Sequence, residues 1–184
     1  MQRIAIVECG GSGKTWLARH LGAQFGLPVT HLDALYYDER WRRSPPEQFA
    51  ARQRALAATP RWVIDGHYAS TLPIRLAAAD TVVFLDLPAT TCPWGIAQRR
   101  RRARGQQHPT TGVYDRITQE FVRYVLGYRG RMRPRVEQLI ARHAGDARVV
   151  VLRSRRAVQR WVRRDPPTRM AVGACVRRSE RAVP

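Results

Sequence analysis

Short apolar runs recur along the chain, and most are followed by a stretch with helical spacing. Arg3-Ile4-Ala5-Ile6-Val7 has the near-unbroken apolar character of a buried strand. Lys14 to Phe25 then puts Leu17, Ala18, Leu21 and Phe25 on one helical face. Pro28-Val29-Thr30-His31-Leu32-Asp33 reads as a second strand that ends in an acid. Tyr36 to Ser44 has no clear period and predicts a loop. Pro45-Pro46-Glu47 opens a helix through about Ala58, with proline in the first turn, where its missing N–H is tolerated. Trp62-Val63-Ile64-Asp65-Gly66 is a third strand closing on Asp-Gly. Thr81 to Leu87 is a fourth, with Asp86 inside it, and Arg148 to Leu152 a fifth. Strands of this kind alternating with helices predict an α/β fold, a five-stranded parallel sheet with helices on both faces.

The segment between the fourth and fifth strands carries two further patterns. Residues from about 90 to 104 have helical spacing and end in Arg99-Arg100-Arg101-Arg102-Ala103-Arg104, and Gly105 to Gly112 is a polar loop. Ile117, Phe121, Tyr124, Val125 and Tyr128 again fall at helical spacing. Gly127, Gly130 and Pro134 should break or kink that helix before Val136, Leu139 and Ile140 resume the stripe. After Asp165-Pro166-Pro167 the periodicity fades. The expected organisation is one domain over residues 1–164, with a lid region at about 99–113 and a loose basic tail over 165–184.

Charge sharpens this picture. The 184 residues carry a formal net charge of +19, with 33 basic side chains against 14 acidic ones. Residues 1–90 hold 10 basic and 8 acidic side chains, and residues 91–184 hold 23 and 6. The asymmetry raises nucleic acid as a partner of the basic C-terminal half, and it suits equally a phosphate-handling lid followed by solvent-facing basic helices. No signal or transit pattern is visible and no apolar run approaches membrane-spanning length, so no membrane partner and a cytoplasmic location are expected. Cys9, Cys92 and Cys175 lack C-x-x-C spacing and suggest neither a zinc site nor a disulfide framework.

Of the 33 basic residues only one is lysine, Lys14, and it falls in Gly10-Gly11-Ser12-Gly13-Lys14-Thr15. A loop that cradles phosphates needs a compact ammonium that can follow the backbone to the β- and γ-phosphates, a role for which a planar guanidinium is too broad. The loop lies between a strand and a helix, so its backbone N–H groups open at a helix N-terminus, a ready anion site. These residues are therefore expected to bind ATP, with the Thr15 hydroxyl on Mg²⁺. The pattern G-x-x-x-x-G-K-[ST] asks for glycine where this chain has Glu8, a carboxylate that would repel phosphate or crowd the turn unless it points away.

Ligands of an open parallel sheet bind beyond the carboxyl ends of its strands. Asp65 at the end of the third strand is the preferred second support for Mg²⁺, with Asp86 its rival, and Asp33 is placed to face an acceptor substrate. Phosphoryl transfer also needs positive charge around the moving group, which Arg99 to Arg104 can supply. Arg75 and Arg123 are further candidates. Arg153 and Arg155 follow the fifth strand, where the loop can pack against a base.

Together the phosphate loop, His31-Leu32-Asp33, Trp62-Val63-Ile64-Asp65-Gly66 and Leu85-Asp86-Leu87-Pro88 resemble the adenylate-kinase-like DNA topology modulation proteins over most of residues 1–160. The resemblance implies the nucleoside-monophosphate-kinase fold, ATP binding and kinase chemistry on a poorly defined acceptor. The leading expectation is a phosphotransferase acting on a small nucleotide-like or metabolite acceptor, and the alternatives are a DNA-associated NTP-binding protein affecting DNA topology and a catalytically weakened regulatory P-loop module. Adenylate kinases place arginines seven and eleven residues after the proline matching Pro88, where this chain has Gly95 and Arg99. Arg99 is thereby the expected lid residue that stabilises transferred charge. His67 stands where the group often has asparagine.

Overall fold

The computed structural model describes residues 1–8, 13–38, 40, 42–88 and 119–164, with side chains described in all of these except 119–129. Gly10, Gly11, Ser12, the helix expected over 90–104 with Arg99, the lid region at 99–113 and the tail at 165–184 lie outside the described residues.

The strands β1 (Arg3–Glu8), β2 (Val29–His31), β3 (Trp62–Asp65), β4 (Thr81–Leu85) and β5 (Arg148–Leu152) form one sheet in the order β2-β3-β1-β4-β5. Every pairing is parallel. The helices are α1 (Lys14–Phe25), α2 (Leu32–Tyr36), α3 (Pro46–Ala57), α4 (Leu72–Ala78), α5 (Gln119–His143) and α6 (Arg155–Arg164). The chain leaving β1 runs toward β2, and the chain leaving β4 runs toward β5. A crevice therefore opens at the carboxyl ends of this adjacent pair, where the residues after β1 lie.

Alternation along β1 builds two cores. Ala5 and Val7 pack with Ile64, Val82, Phe84, Leu72 of α4 and Val136 of α5 on one face. Ile4 and Ile6 pack with Val63, Val83, Leu17 and Leu21 of α1, and Val158 of α6 on the other. Full burial of each such side chain stabilises by about 1.5–3 kcal/mol, which is why the three central strands read as continuous apolar runs. The coverage expected on both faces is incomplete at one edge: Val149 and Val151 of β5 remain 43% and 44% exposed among the described residues.

Several boundaries differ from the sequence expectation. β2 stops at His31, and Asp33 lies instead in the first turn of α2, where an acid complements the helix N-terminus. β4 stops at Leu85, so Asp86 follows the strand and is not inside it. Gly127, Gly130 and Pro134 do not break α5, which runs from Gln119 to His143. Burial of Val136 and Ile140 against the sheet outweighs the single N–H that Pro134 lacks. The segment from Tyr36 to Ser44 is a pinned turn. The Asp38 carboxylate accepts the N–H groups of Arg40 and Arg42, Tyr37 and Arg43 form an antiparallel bridge, and the Ser44 N–H donates to the Tyr36 carbonyl. Among the described residues no helix is long and apolar enough to cross a membrane.

Gly66, just past β3, has φ +149°, and a Cβ there would lie 2.8 Å from the Cβ of Leu32. Both facts require glycine. Gly66→Ala is expected to destabilise the fold by roughly 2–4 kcal/mol in denaturant unfolding. A change within about 0.5 kcal/mol would show that the close approach is not constrained.

Candidate active site

Gly13, at φ +100°, delivers the chain into α1, so that Lys14 and Thr15 form its first turn. Lys14 extends back across the end of β1. Its Nζ lies 3.1 Å from Oε1 of Glu8 and 3.7 Å from Oδ2 of Asp33. Glu8 is 1% exposed and so points inward, toward the lysine, rather than away from the loop. Burial pulls the Lys14 pKa down most strongly. The attraction of Glu8, then Asp33 and Asp65, outweighs it and leaves the ammonium well above its usual range. Lys14 is charged at any physiological pH, and the carboxylates of Glu8, Asp33 and Asp65 all act on it.

Each carboxylate is held by different partners. Asp65, the last residue of β3, stands opposite His31 of β2 in the parallel register, and His31 Nδ1 donates to Asp65 Oδ1 at 2.8 Å. Asp65 is 1% exposed, and its second oxygen, Oδ2, has no hydrogen-bond partner among the described residues. Asp33 is more open, with a side chain 47% exposed. The Tyr68 hydroxyl donates to its Oδ1 at 2.8 Å. Burial first, and then the Asp33 charge, raise the Tyr68 phenol well above its ordinary range, so it stays a donor.

Tyr68 reaches Asp33 from a constrained backbone. Its φ of 28° is in the left-handed region, which costs a tyrosine about 1–3 kcal/mol. Two features hold it there. The ring packs among Tyr36 and Phe49, with centroids 4.8 Å away in each case. Beneath it the fully buried Arg75 donates from Nη2 to the carbonyls of Gly66 and His67, each at 3.0 Å, and from Nη1 to Oε1 of Gln53. Gln53 in turn donates to the Thr71 hydroxyl. Arg75 is thus committed to the turn after β3 and is not free to meet an acceptor. Burial lowers its pKa to about 9 against the pull of Asp65 and Tyr68, so it still carries its charge at neutral pH.

The remaining candidates fall at the edges. Asp86 is buried and ion-paired with Nε of Arg133 on α5 at 3.2 Å and Nε of Arg153 at 3.6 Å. Asp86 is thus ion-paired through both oxygens, whereas Asp65 Oδ2 has no hydrogen-bond partner among the described residues. Arg153 itself is largely exposed beside the end of β5. Arg155 begins α6 and is not part of a loop. In the sequence His31 stands out only as part of His31-Leu32-Asp33, and nothing local marks Tyr68 or the structural task of Arg75.

No protein-family model matches the chain, and no curated protein matches it. Among solved structures it is similar to the shikimate kinase of Acinetobacter baumannii in complex with shikimate, with a TM-score of 0.51, 16% identity and coverage of 89% of this chain and 90% of that one. It is similar also to the shikimate kinase of Bacteroides thetaiotaomicron, with a TM-score of 0.51, 18% identity and coverage of 89% and 95%. The five-stranded parallel sheet with its flanking helices is the P-loop kinase fold. At this identity the likeness is one of fold, and the link to DNA topology modulation proteins rests on the sequence motifs alone.

His67, next to this network, supplies a test of the electrostatics. Burial, and then Arg75, Lys14 and Arg135, lower its pKa to about 4, so it is neutral in the folded protein. The unfolded chain binds a proton there below pH about 6.5, and the folded one does not until pH about 4. Stability is therefore full above that window and falls as pH drops through it. Between pH 7 and pH 5 this group alone should remove about 2 kcal/mol of unfolding free energy. His67→Asn should flatten that part of the profile, and an unchanged slope would show that His67 is not held neutral.

Proposed function

We propose that the protein is an ATP-dependent phosphotransferase that moves the γ-phosphate of ATP to a small acceptor. The observation that carries this reading is the position of Lys14. It is a largely shielded, permanently charged ammonium at the start of α1, its side chain 13% exposed, beside the carboxyl ends of β1 and β3. An ammonium in that place can exchange its carboxylate partners for phosphate oxygens, while the backbone N–H groups of α1 face the same anion.

In this reading Gly10, Gly11, Ser12 and Gly13 wrap the triphosphate, and Lys14 bridges its β- and γ-phosphates. Thr15 and Asp65 would hold Mg²⁺. The fit of Asp65 rests on its second oxygen, which is buried and has no hydrogen-bond partner among the described residues. The chemistry supplied by bound Mg²⁺ would be neutralisation of charge on the phosphates. Arg99 adds positive charge from the lid segment, and Arg153 packs near the base.

Asp33 faces the acceptor. For a hydroxyl acceptor, the hydroxyl oxygen bonds to the γ-phosphorus, the bond from that phosphorus to the β–γ bridging oxygen breaks, and the hydroxyl proton passes to Asp33. Tyr68 on Oδ1 and Lys14 near Oδ2 hold the Asp33 carboxylate in place, and in a loose transition state bond breaking leads and the proton leaves late.

Three variants test these roles. Lys14→Ala should abolish phosphate transfer from γ-labelled ATP, and unaffected turnover would overturn the reading. Glu8→Gln keeps the shape of the side chain but removes the charge that competes with phosphate for Lys14. Its affinity for ATP, read by calorimetry, should rise roughly tenfold, and equal or weaker binding would show that Glu8 does not compete. Tyr68→Phe should leave ATP affinity within about twofold while lowering transfer at least tenfold. An equal loss of ATP affinity would place Tyr68 on the nucleotide side.

A further inference from the structure

His31 has been described so far only as the partner of Asp65. It is the last residue of β2, an edge strand of three residues, and it lies directly beside the last residue of β3 in the register. Both side chains are nearly removed from solvent, at 11% and 1% exposure. A carboxylate in such surroundings can bond through both oxygens, and an unmet oxygen is costly. Here one oxygen is engaged by Nδ1 and the other, Oδ2, has no hydrogen-bond partner among the described residues. Asp65 is also one of the three acids whose charge acts on Lys14, so it lies within the field of the phosphate-binding lysine.

We propose that His31 is a positioning residue for the metal: its Nδ1–H fixes the rotation of the Asp65 carboxylate, so that Oδ2 stays turned to the Mg²⁺ that accompanies ATP. The inference rests on the phosphotransferase reading and adds to it. An ionised carboxylate only accepts, so the proton of this bond belongs to His31 Nδ1. A donor of fixed direction restricts the carboxylate to one orientation, as groups behind metal-binding side chains commonly do.

The bland alternative is that His31 merely pins a short edge strand to its neighbour. The two roles separate experimentally, because a pin acts on stability and a positioning group acts on the metal-dependent part of binding. Wild type, His31→Phe, His31→Ala and His31→Asn would each be titrated with ATP in EDTA and with ATP plus Mg²⁺, with thermal unfolding recorded alongside. Phenylalanine keeps the ring without the donor, and asparagine keeps a donor near the position of Nδ1.

The wild type should bind ATP more tightly with Mg²⁺ than without. His31→Phe and His31→Ala should lose roughly tenfold or more of that gain while their affinity in EDTA stays within about twofold of wild type. His31→Asn should retain most of it. If every variant that folds keeps the full Mg²⁺ gain, whatever its melting temperature, the positioning role is overturned and His31 is a pin. If the wild type binds ATP under neither condition, the phosphotransferase reading fails and this proposal falls with it.

Discussion

Negative charge buried at the carboxyl ends of a parallel sheet must be met by cations or hydrogen bonds, and this requirement organises the structure. Glu8, Asp65 and Asp86 are all nearly inaccessible to solvent. Glu8 takes the chain's single lysine, Asp65 takes His31 and the nearby field of Arg75, and Asp86 takes Arg133 and Arg153. A buried acid that lost its partner would carry the full cost of its desolvation. The same arrangement keeps cations at the crevice where an anionic ligand would arrive.

The three acids divide into two that tie the frame and one that stays partly open. Asp86 joins the end of β4 to α5, and Glu8 pairs with Lys14 at the end of β1. Asp65 keeps one oxygen without a hydrogen-bond partner among the described residues. From Asp65 the contacts continue through the turn at Gly66 and His67, which Arg75 holds by two carbonyls, to Tyr68 and so to Asp33. A strained residue and a buried guanidinium thus set the geometry of an exposed carboxylate. Local strain of this kind persists only where the surrounding structure over-determines it.

Much of the fold was legible in the sequence because its three central strands are short, apolar and buried on both faces, and because glycines follow β1 and β3. The lone lysine was legible because composition made it stand out against 32 arginines. Asp33 was assigned to a strand because Leu32 continues the apolar run, yet the chain turns into α2 after His31. The break expected in α5 failed because propensity at Gly127, Gly130 and Pro134 is weaker than the packing of Val136 and Ile140. Tyr68 and Arg75 carried no local signal. Their roles depend on contacts with Asp33 and Gln53, 35 and 22 residues away in sequence. The direction of Glu8 was likewise undecidable from its neighbours, since only the fold brings Lys14 back over β1.

The central claim is that Lys14 exchanges Glu8 for the triphosphate. A crystal structure with Mg²⁺ and a non-hydrolysable ATP analogue tests it most directly. With the nucleotide bound, Lys14 Nζ should leave the Glu8 carboxylate, now 3.1 Å away, and lie on the β- and γ-phosphate oxygens at the start of α1. A structure in which the nucleotide is bound elsewhere, with Lys14 still paired to Glu8, would contradict it.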